Sequence, residues 1–482
     1  MYNEKFFNKL IHSARDKRAK SGIDDQMALG VEYYEAENRE ILNRKMLIYT
    51  ETEDGIPIEM EDPYKANNKL TSPFMRILVD QKVNYSLGKD ISVSADNPDL
   101  FWDELGDDFQ EKLKDVGMDA SKKGKGWMHI YIDKMGRFGT KVIPSEQCTP
   151  IYENGDEDSL KFMIRRYIVE LVTMEGDFED WDIVEVWTKE NVYVYRHVEG
   201  KYHFLKDEDV FFLTEGDIGE NPRSHIVKIE KYGTTVAAKS GMSWGAVPFV
   251  KLQNNSSETS DLKPIKNYVD AYDKTFSDFS NNLEDFQDVY WVLKGYGGQN
   301  LNDFLHQVKR YKTLKIGEGG DAKAETIDIP HEARSKILIS LEDDIYAAGR
   351  GFDPSKISSG GSNITNVMIR SKFAALDIKA NDFESRLFKF LSNICWFVDK
   401  WQELRGTGQI LGLQNIRFNR SIIVNEVELL DANTRQRGSI SEELRLSNHV
   451  WVDDMEQEVE RLKEQMPDPF TFDYGQEQEE DE

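Results

Sequence analysis

The segment from Ile364 to Arg405 contains no glycine and no proline, and its apolar residues recur in steps of four and three. These residues are Ile369, Phe373, Leu376, Ala380, Phe383, Leu387, Phe390, Ile394, Phe397, Trp401 and Leu404. Such spacing predicts a helix with a single apolar seam. The helix would be roughly 60 Å long, far beyond the usual length of about 11–12 residues. We therefore expect the spine of a large assembly, while a long core helix in an α+β protein and a coiled-coil dimer stay open.

A second helix with the same rhythm is predicted upstream, where Asp261 precedes Pro264 in a pattern that suits a first helical turn. Its apolar seam consists of Ile265, Val269, Tyr272, Phe276, Phe279, Leu283, Phe286 and Tyr290. Aromatic rings fill a two-stranded coiled coil poorly, so this seam predicts packing against several neighbouring helices. The other face is acidic, with Asp270 and Asp273 among its residues, and is either solvated or the lining of a space.

Composition restricts the class of protein. The chain has 482 residues, of which 39% are hydrophobic and 31% are charged, and we expect a multidomain globular protein. No apolar run approaches the ~18 residues of a membrane span, and residues 1–18 lack the apolar core of a signal peptide. Cys148 and Cys395 lie far apart without metal-type spacing, which fits a reducing compartment.

The net charge of −27 argues against a surface that wraps nucleic acid in the ordinary way, because such surfaces are basic. An acidic surface of this kind suits a protein that nucleic acid must move past without binding tightly.

The order of patterns predicts an α+β chain. Residues 1–125 are predicted to be mainly helical, with helices through Tyr34, Ile41 and Leu47, from Leu70 to Tyr85 and from Leu100 to Val116. The next stretch, to about Val250, alternates like an antiparallel meander. Its expected strands are 127–132, 162–172, 183–187, 192–197 and 226–232. A last strand is expected at 416–424, and the acidic end, 467–482, is expected to be disordered.

A small α/β module is predicted between the two long helices, with strands at 290–296, 313–316 and 324–329 and a helix at 302–311. After it, a helix from His331 to about Gly349 leads into a glycine-rich segment, 350–363. Gly349, Gly351, Gly360 and Gly361 flank that segment, so we expect both of its ends to flex.

Motifs for catalysis are missing from the sequence. No phosphate-binding loop, dinucleotide fingerprint or metalloprotease pattern is complete. Asp156, Glu157 and Asp158 form an acidic turn that more often is solvated than metal-binding. We therefore expect no enzymatic activity, no cofactor and no metal site.

Several stretches in fixed order resemble the portal proteins of tailed bacteriophages, of the siphovirus type typified by phage SPP1. They are residues 247–255, 260–263, 265–266, 270–274, 283–286, 292–296, 327–330, 332–334, 376–381, 440–443 and 449–454. The likeness covers roughly residues 245–465 and is structural rather than catalytic.

The resemblance implies a multidomain portal fold with wing, stem, clip and crown, built from long helices and a small α/β clip. Its parts would be the wing (1–255), stem helix (256–290), clip (291–329), second stem helix (330–349), tunnel loop (350–363), spine helix (364–405), return strand (406–424), crown (425–466) and acidic tail (467–482).

By the same resemblance, about twelve copies would form a ring, a dodecamer, at one capsid vertex in the virion, after assembly in the host cytoplasm. The ring would be the channel for double-stranded DNA and would dock terminase, a head-completion or adaptor protein, and the major capsid and scaffolding proteins. The apolar seams of the long helices also predict more apolar surface than a monomer covers. Alternatives are a non-portal structural ring or adaptor coiled-coil protein, and a metal-dependent nuclease.

Two groups of site residues follow from this interpretation. Arg350 and Lys356 are the basic residues of the predicted tunnel loop and are expected to face DNA. The expected docking face of the clip consists of Lys309, Arg310, Tyr311, Lys312 and Lys315.

Overall fold

The computed structural model describes residues 4–51, 57–61, 65–133, 135–172, 176–213, 220–232, 235–285, 290–294, 321–325, 331–353, 355–358 and 366–420, with 435 and 461. The chain divides into two compact units. One consists of residues 1–352 and 375–421, and the other of residues 353–374 and 422–482.

Helices and antiparallel sheets together confirm the expected mixture of α and β structure. The helices are α1 (Glu4–Ser21), α2 (Ile23–Tyr34), α3 (Arg39–Leu42), α4 (Phe74–Leu87), α5 (Asp99–Leu105), α6 (Phe109–Lys123), α7 (Asp207–Leu213), α8 (Lys266–Asp285), α9 (His331–Gly349), α10 (Ser355–Ser358) and α11 (Asn366–Arg405).

The strands pair antiparallel throughout the described residues. They are β1 (Leu47–Glu51), β2 (Pro57–Glu61), β3 (Ser92–Ala95), β4 (Lys125–Ile132), β5 (Phe138–Ile143), β6 (Cys148–Glu153), β7 (Asp156–Val172), β8 (Phe178–Trp187), β9 (Asn191–Val198), β10 (Lys201–Phe204), β11 (Arg223–Ser224), β12 (Ile226–Tyr232), β13 (Thr235–Met242), β14 (Phe249–Gln253), β15 (Tyr290–Lys294), β16 (Asp321–Glu325) and β17 (Leu413–Arg417).

The strands predicted at 127–132 and 226–232 belong to other sheets, as β4 and β12. Those predicted at 162–172, 183–187 and 192–197 form part of a meander, the sheet β10–β9–β8–β7–β6. Its central strands are covered on both faces. Ile183 and Trp187 of β8 belong to one apolar cluster, while Val184 and Val186 pack with Phe7 of α1 in another. Because side chains alternate across a strand, this double cover explains why both faces of the second half of β8 carry apolar residues.

Two local predictions were wrong. Leu47 was expected in a helix, but it begins β1, which pairs with β2. The expected helix from Leu100 to Val116 is two helices, because Gly106 adopts a positive φ of 81° and ends α5. The strand expected at 416–424 overlaps β17 only at 416–417, because β17 begins at Leu413 and ends at Arg417, where it pairs with β3; residues 418–420 are not in a strand. Of the α/β module, the described residues include only the strand pair β15–β16, and its predicted helix lies outside them.

The spine helix is confirmed at 40 residues, and its seam is buried from Leu376 to Trp401. The part from Phe383 to Trp401 packs into the largest apolar cluster, together with residues of α4 and α6. This stretch of the seam therefore packs into the core of its own chain. We had expected it to remain uncovered until another subunit bound. Other faces of α11 stay exposed, as at Ile378, Phe388 and Trp396.

Helix α8 packs differently from its prediction. Its polar residues Asp273, Ser277 and Asn281 are buried, whereas Phe276 and Leu283 of the apolar seam are exposed. The spacing of four places the three polar residues on one face.

That polar face of α8 is satisfied by the N-terminal segment. Asn38 donates to the Asp273 carboxylate, and the backbone N–H groups of Leu70 and Asn68 donate to Ser277 and Asn281. Burial raises the pKa of Asp273 to about 6, against hydrogen bonds that lower it. The acidic face expected to be solvated is thus partly an internal contact.

A buried ion cluster joins the start of α8 to the long helices. The Asp261 carboxylate lies 2.7 Å from Lys82 Nζ of α4 and 3.2 Å from Lys379 Nζ of α11. Asn254 donates to Asp261 and accepts from Lys82. The Lys82 ammonium also lies 4.6 Å from the centre of the Phe383 ring.

Burial would raise the pKa of Asp261, but the ammonium groups of Lys379 and Lys82 hold it well below its usual range. Burial lowers the pKa of Lys82 to about 8, against the attraction of Asp261. The pair is therefore ionised at neutral pH, and each charge depends on the other because a lone buried charge is very costly.

Replacement of Asp261 by asparagine should lower the free energy of unfolding by about 3–5 kcal/mol, because the buried Lys82 ammonium and the partly buried Lys379 ammonium lose their counter-charge. Urea unfolding at neutral pH measures this change. The double variant Lys82→Met/Asp261→Asn should be more stable than Asp261→Asn alone, since it removes one of the stranded cations.

The matched control for this experiment is Glu403→Gln on α11, which breaks an exposed ion pair with Lys400. It should change the free energy of unfolding by less than about 1 kcal/mol. Equal losses in Asp261→Asn and Glu403→Gln would contradict a special role for the buried cluster.

Candidate functional site

Helix α9 ends in a left-handed turn centred on Arg350, one of the two basic residues predicted to face DNA. The Gly351 N–H donates to the Tyr346 carbonyl, and the Arg350 N–H donates to the Ala347 carbonyl. This pair of bonds is the Schellman pattern. Arg350 occupies its left-handed position with a φ of 53°, where a glycine would be favoured by about 1 kcal/mol.

The glycines beside Arg350 serve close packing. A Cβ at Gly349 would lie 2.5 Å from a Leu78 methyl group of α4, and one at Gly351 would lie 2.3 Å from the other methyl. Neither glycine has a positive φ among the described residues. The two glycines thus allow the chain to approach α4 closely, and the flexibility expected of them stays a prediction. Gly360 and Gly361 lie outside the described residues.

Two side chains fasten this turn to the rest of the first unit. Gln81 donates to the Phe352 carbonyl at 2.6 Å and accepts from the Phe352 N–H at 3.2 Å. Lys379 donates to the Gly349 carbonyl at 2.9 Å. The same Lys379 ammonium contacts Asp261, so the end of α9 is tied directly to the buried ion cluster.

Arg350 points its charge toward α11, where its guanidinium lies 3.9 Å from the Asp382 carboxylate. Both side chains are more than half exposed, at 53% and 75%, so this ion pair contributes little to stability. Arg350 is therefore a fixed backbone position that carries an accessible cation.

Lys356, the second predicted DNA-facing residue, belongs to the other unit. It lies on the short helix α10, within a segment that we expected to be a loop. Asp353 starts this turn, because its carboxylate accepts from the Ser355 N–H at 2.8 Å. The same carboxylate lies 3.9 Å from the Lys356 ammonium, whose side chain is 47% exposed.

The predicted clip residues, Lys309, Arg310, Tyr311, Lys312 and Lys315, lie outside the described residues. In the acidic turn considered for metal, Asp158 pairs with Lys389 at 2.6 Å and Glu157 lies 3.5 Å from Lys251. Among the residues that the structure describes, no three histidine, cysteine or acidic side chains form a group suited to a metal ion. None of the described helices has the length and apolar character needed to cross a bilayer.

Sequence reasoning missed Leu78, Gln81 and Lys82, which hold the turn and the ion cluster from α4. Nothing local marks them, since their partners lie far along the chain. A signal did exist for Asp261 and Lys379, because both lie in stretches that carry the resemblance to portal proteins.

Comparison with known proteins agrees with that resemblance. The family model described as "Phage portal protein, SPP1 Gp6-like" matches residues 25–467. The portal protein of Bacillus phage SPP1 is 27% identical over 445 residues, which is 91% of this chain and 83% of that protein. The portal protein of Clostridium phage phiCD119 is 29% identical over 458 residues, 89% of this chain and 92% of that protein.

Among solved structures, two chains from necks of GTA particles align with this one. A chain from the empty particle, computed with C6 symmetry, has a TM-score of 0.40 and 11% identity and covers 78% of this chain and 88% of its own. One from the native particle, computed with C12 symmetry, has a TM-score of 0.37 and 10% identity with the same coverage. The family match alone spans most of the sequence, and by it this chain belongs to the SPP1 Gp6-like family of phage portal proteins.

Proposed function

We propose that this portal protein forms a closed ring at one capsid vertex, through which double-stranded DNA is packaged and later ejected. The observation that carries the proposal is the exposed apolar surface of the helix pair α8–α9. Phe276 and Leu283 of α8 are 38% and 47% exposed, and Ile337 and Ile339 of α9 are 51% and 55% exposed. Apolar side chains grouped on neighbouring helices are typical of an interaction surface.

The arrangement on α9 favours a ring in particular. Residues two apart on a helix point in nearly opposite directions, so Ile337 and Ile339 lie on opposite flanks of α9. Covering both flanks requires two neighbours. A ring with head-to-tail contacts gives each subunit two neighbours through two different surfaces.

Within this proposal the parts keep the roles that the resemblance implies. They are the wing (1–255), stem helices (256–290 and 330–349), clip (291–329), tunnel loop (350–363), spine helix (364–405), return strand (406–424) and crown (425–466). The clip would dock terminase and then a head-completion protein, and the wing would face capsid and scaffolding proteins. The subunit itself would catalyse no reaction, and ATP hydrolysis would belong to the terminase.

The tunnel loop would supply cations inside an otherwise acidic channel. A chain with net charge −27 repels phosphate over most of its surface, which keeps DNA from binding too tightly to move. Arg350 and Lys356 each lie 3.9 Å from a carboxylate. The Arg350 pair is weak at that distance and exposure, so DNA phosphates would compete for this cation, and Lys356 would add a second positive charge to the same loop.

The ring and its two-sided contact can be tested with α9 variants. Native mass spectrometry and negative-stain imaging of the unsubstituted chain should show closed rings. Ile337→Asp and Ile339→Asp should each block ring closure, because each places a charge on one flank of the contact. Met135→Asp, at an 80% exposed position in the β4–β5 turn, should leave rings intact.

A mixture of the two α9 variants separates head-to-tail contacts from symmetric ones. Each variant keeps the flank that the other lacks, so the mixture should form dimers with one intact contact but no rings. Monomers or dimers of the unsubstituted chain at micromolar concentration and moderate salt would contradict the proposed function.

The tunnel-loop role predicts a specific DNA defect. Lys356→Glu should leave ring formation unchanged but reduce the length or retention of packaged DNA, as should replacement of residues 353–360 by a Gly-Ser segment. The affinity of the isolated ring for duplex DNA at low salt should fall on the order of tenfold, since every subunit reverses one charge. Lys201→Glu, an exposed cation on β10, is the matched control. Normal packaging and retention in both tunnel-loop variants would rule out a working DNA contact.

The clip assignment predicts a separable loss of docking. Deletion of residues 297–321, which include Lys309 and Tyr311, should leave the fold of the wing intact, as judged by circular dichroism. Binding of the terminase, measured by pull-down, should be abolished. Unchanged terminase binding would show that docking lies elsewhere.

A further inference from the structure

A cleft in the first unit stands apart from the proposed channel and clip. It lies between the β6–β7 turn, strand β14 and the middle of α11, with a volume of about 410 Å³. Its lining includes Trp127, Tyr152, Lys251, Arg386 and Trp396. The volume is in the range of sites that hold a small ligand or an inserted side chain.

Two groups of this lining, one buried and one partly exposed, have no partner among the described residues. The Trp127 side chain is 1% exposed, and its indole N–H has no hydrogen-bond partner within the described structure. Such buried donors are rarely left unpaired. Arg386 differs, because its side chain is partly exposed in the cleft; it makes no ion pair with any residue that the structure describes.

The other cations of the cleft already have partners. Lys251 pairs with Glu258 at 2.6 Å, Lys389 with Asp158 at 2.6 Å and Lys189 with Glu153 at 2.9 Å. Arg386 is therefore the cation of the cleft that an outside group can pair with. A carboxylate fits this position, because it accepts two parallel hydrogen bonds from a guanidinium.

One wall of the cleft is an exposed aromatic surface. Trp396 is 47% exposed on α11 and packs edge-to-face on Phe397 at 4.9 Å between ring centres. A partly exposed tryptophan beside an arginine and a tyrosine is the composition of an energetic centre in protein interfaces. Small anions would leave this apolar wall uncovered, so the occupant is better sought in a polypeptide segment.

We propose that the cleft receives a carboxylate-bearing segment of a second copy of this chain, the neighbouring subunit in the ring. The proposal rests on the proposed function. Its basis is charge: the chain carries 88 acidic and 61 basic residues, so two copies repel unless cations of one meet carboxylates of the other. Arg386 is the cation of this cleft without an ion pair among the described residues. A second copy of this acidic chain has many carboxylates that could pair with it.

A photo-cross-linker tests the identity of the occupant. With p-benzoylphenylalanine at position 396, irradiation of the purified ring should join neighbouring copies covalently, giving a band of twice the chain mass. The same amino acid at Phe178, which is 70% exposed on β8 and outside the cleft, is the control and should give a much weaker band. Peptide mass spectrometry of the adduct should identify an Asp- or Glu-bearing segment.

Charge reversal gives an independent readout. Arg386→Glu should weaken the ring, so that on dilution it dissociates at a subunit concentration about tenfold higher than for the unsubstituted chain. Arg386→Lys should raise this concentration less. Lys201→Glu should leave that concentration unchanged. Rings of normal stability in Arg386→Glu, together with no adduct from position 396, would overturn the proposal and leave the proposed function standing.

The remaining outcomes are equally decisive. An adduct that forms only with a different protein in a packaging extract would overturn the second-copy assignment. Adducts between two copies without closed rings would support the cleft contact and contradict the ring. Monomers throughout would contradict both.

Discussion

The Asp261 carboxylate, buried between two lysine ammonium groups, determines how the long elements of this protein meet. Lys82 belongs to α4, Lys379 to α11 and Asp261 to the segment that leads into α8. Lys379 reaches further, to the Gly349 carbonyl at the end of α9. Four helical segments thus share one set of charges. Because burying an isolated charge is so costly, none of these helices can shift alone without exposing or stranding part of the set.

This constraint gives the end of α9 its character. The turn at Arg350 is pressed onto Leu78, bonded to Gln81 and held by Lys379. Such a turn fixes where the following segment starts, while the cation at its centre stays accessible. The proposed tunnel loop therefore begins at a backbone position that these contacts fix. A fixed start would keep the Arg350 cation at a constant distance from DNA that moves through the proposed channel.

The features that the sequence predicted well are those coded by local periodicity. The spine helix follows from a seam of period 3.5, and α9 was predicted with its observed bounds. The meander followed from alternation and turn residues. Predictions failed where distant partners decide. The polar face of α8 is buried because Asn38 and Asn68 satisfy it, and no pattern within α8 reveals them. At the site, Arg350 could be singled out by its charge, but its left-handed turn and its anchors on α4 could not.

The apolar seam of α8 is buried at Val269 but exposed further along the helix, and this would affect how free subunits behave before the proposed assembly. The helix buries Asp273, Ser277 and Asn281 and leaves Phe276 and Leu283 exposed to water. In a protein of low net charge, this apolar surface would promote aggregation. The charge of −27 provides a long-range barrier that slows random encounters between subunits. Salt shortens the reach of that barrier. Ionic strength would thus control the start of ring assembly. At low salt the subunits would stay separate, and at higher salt they would associate.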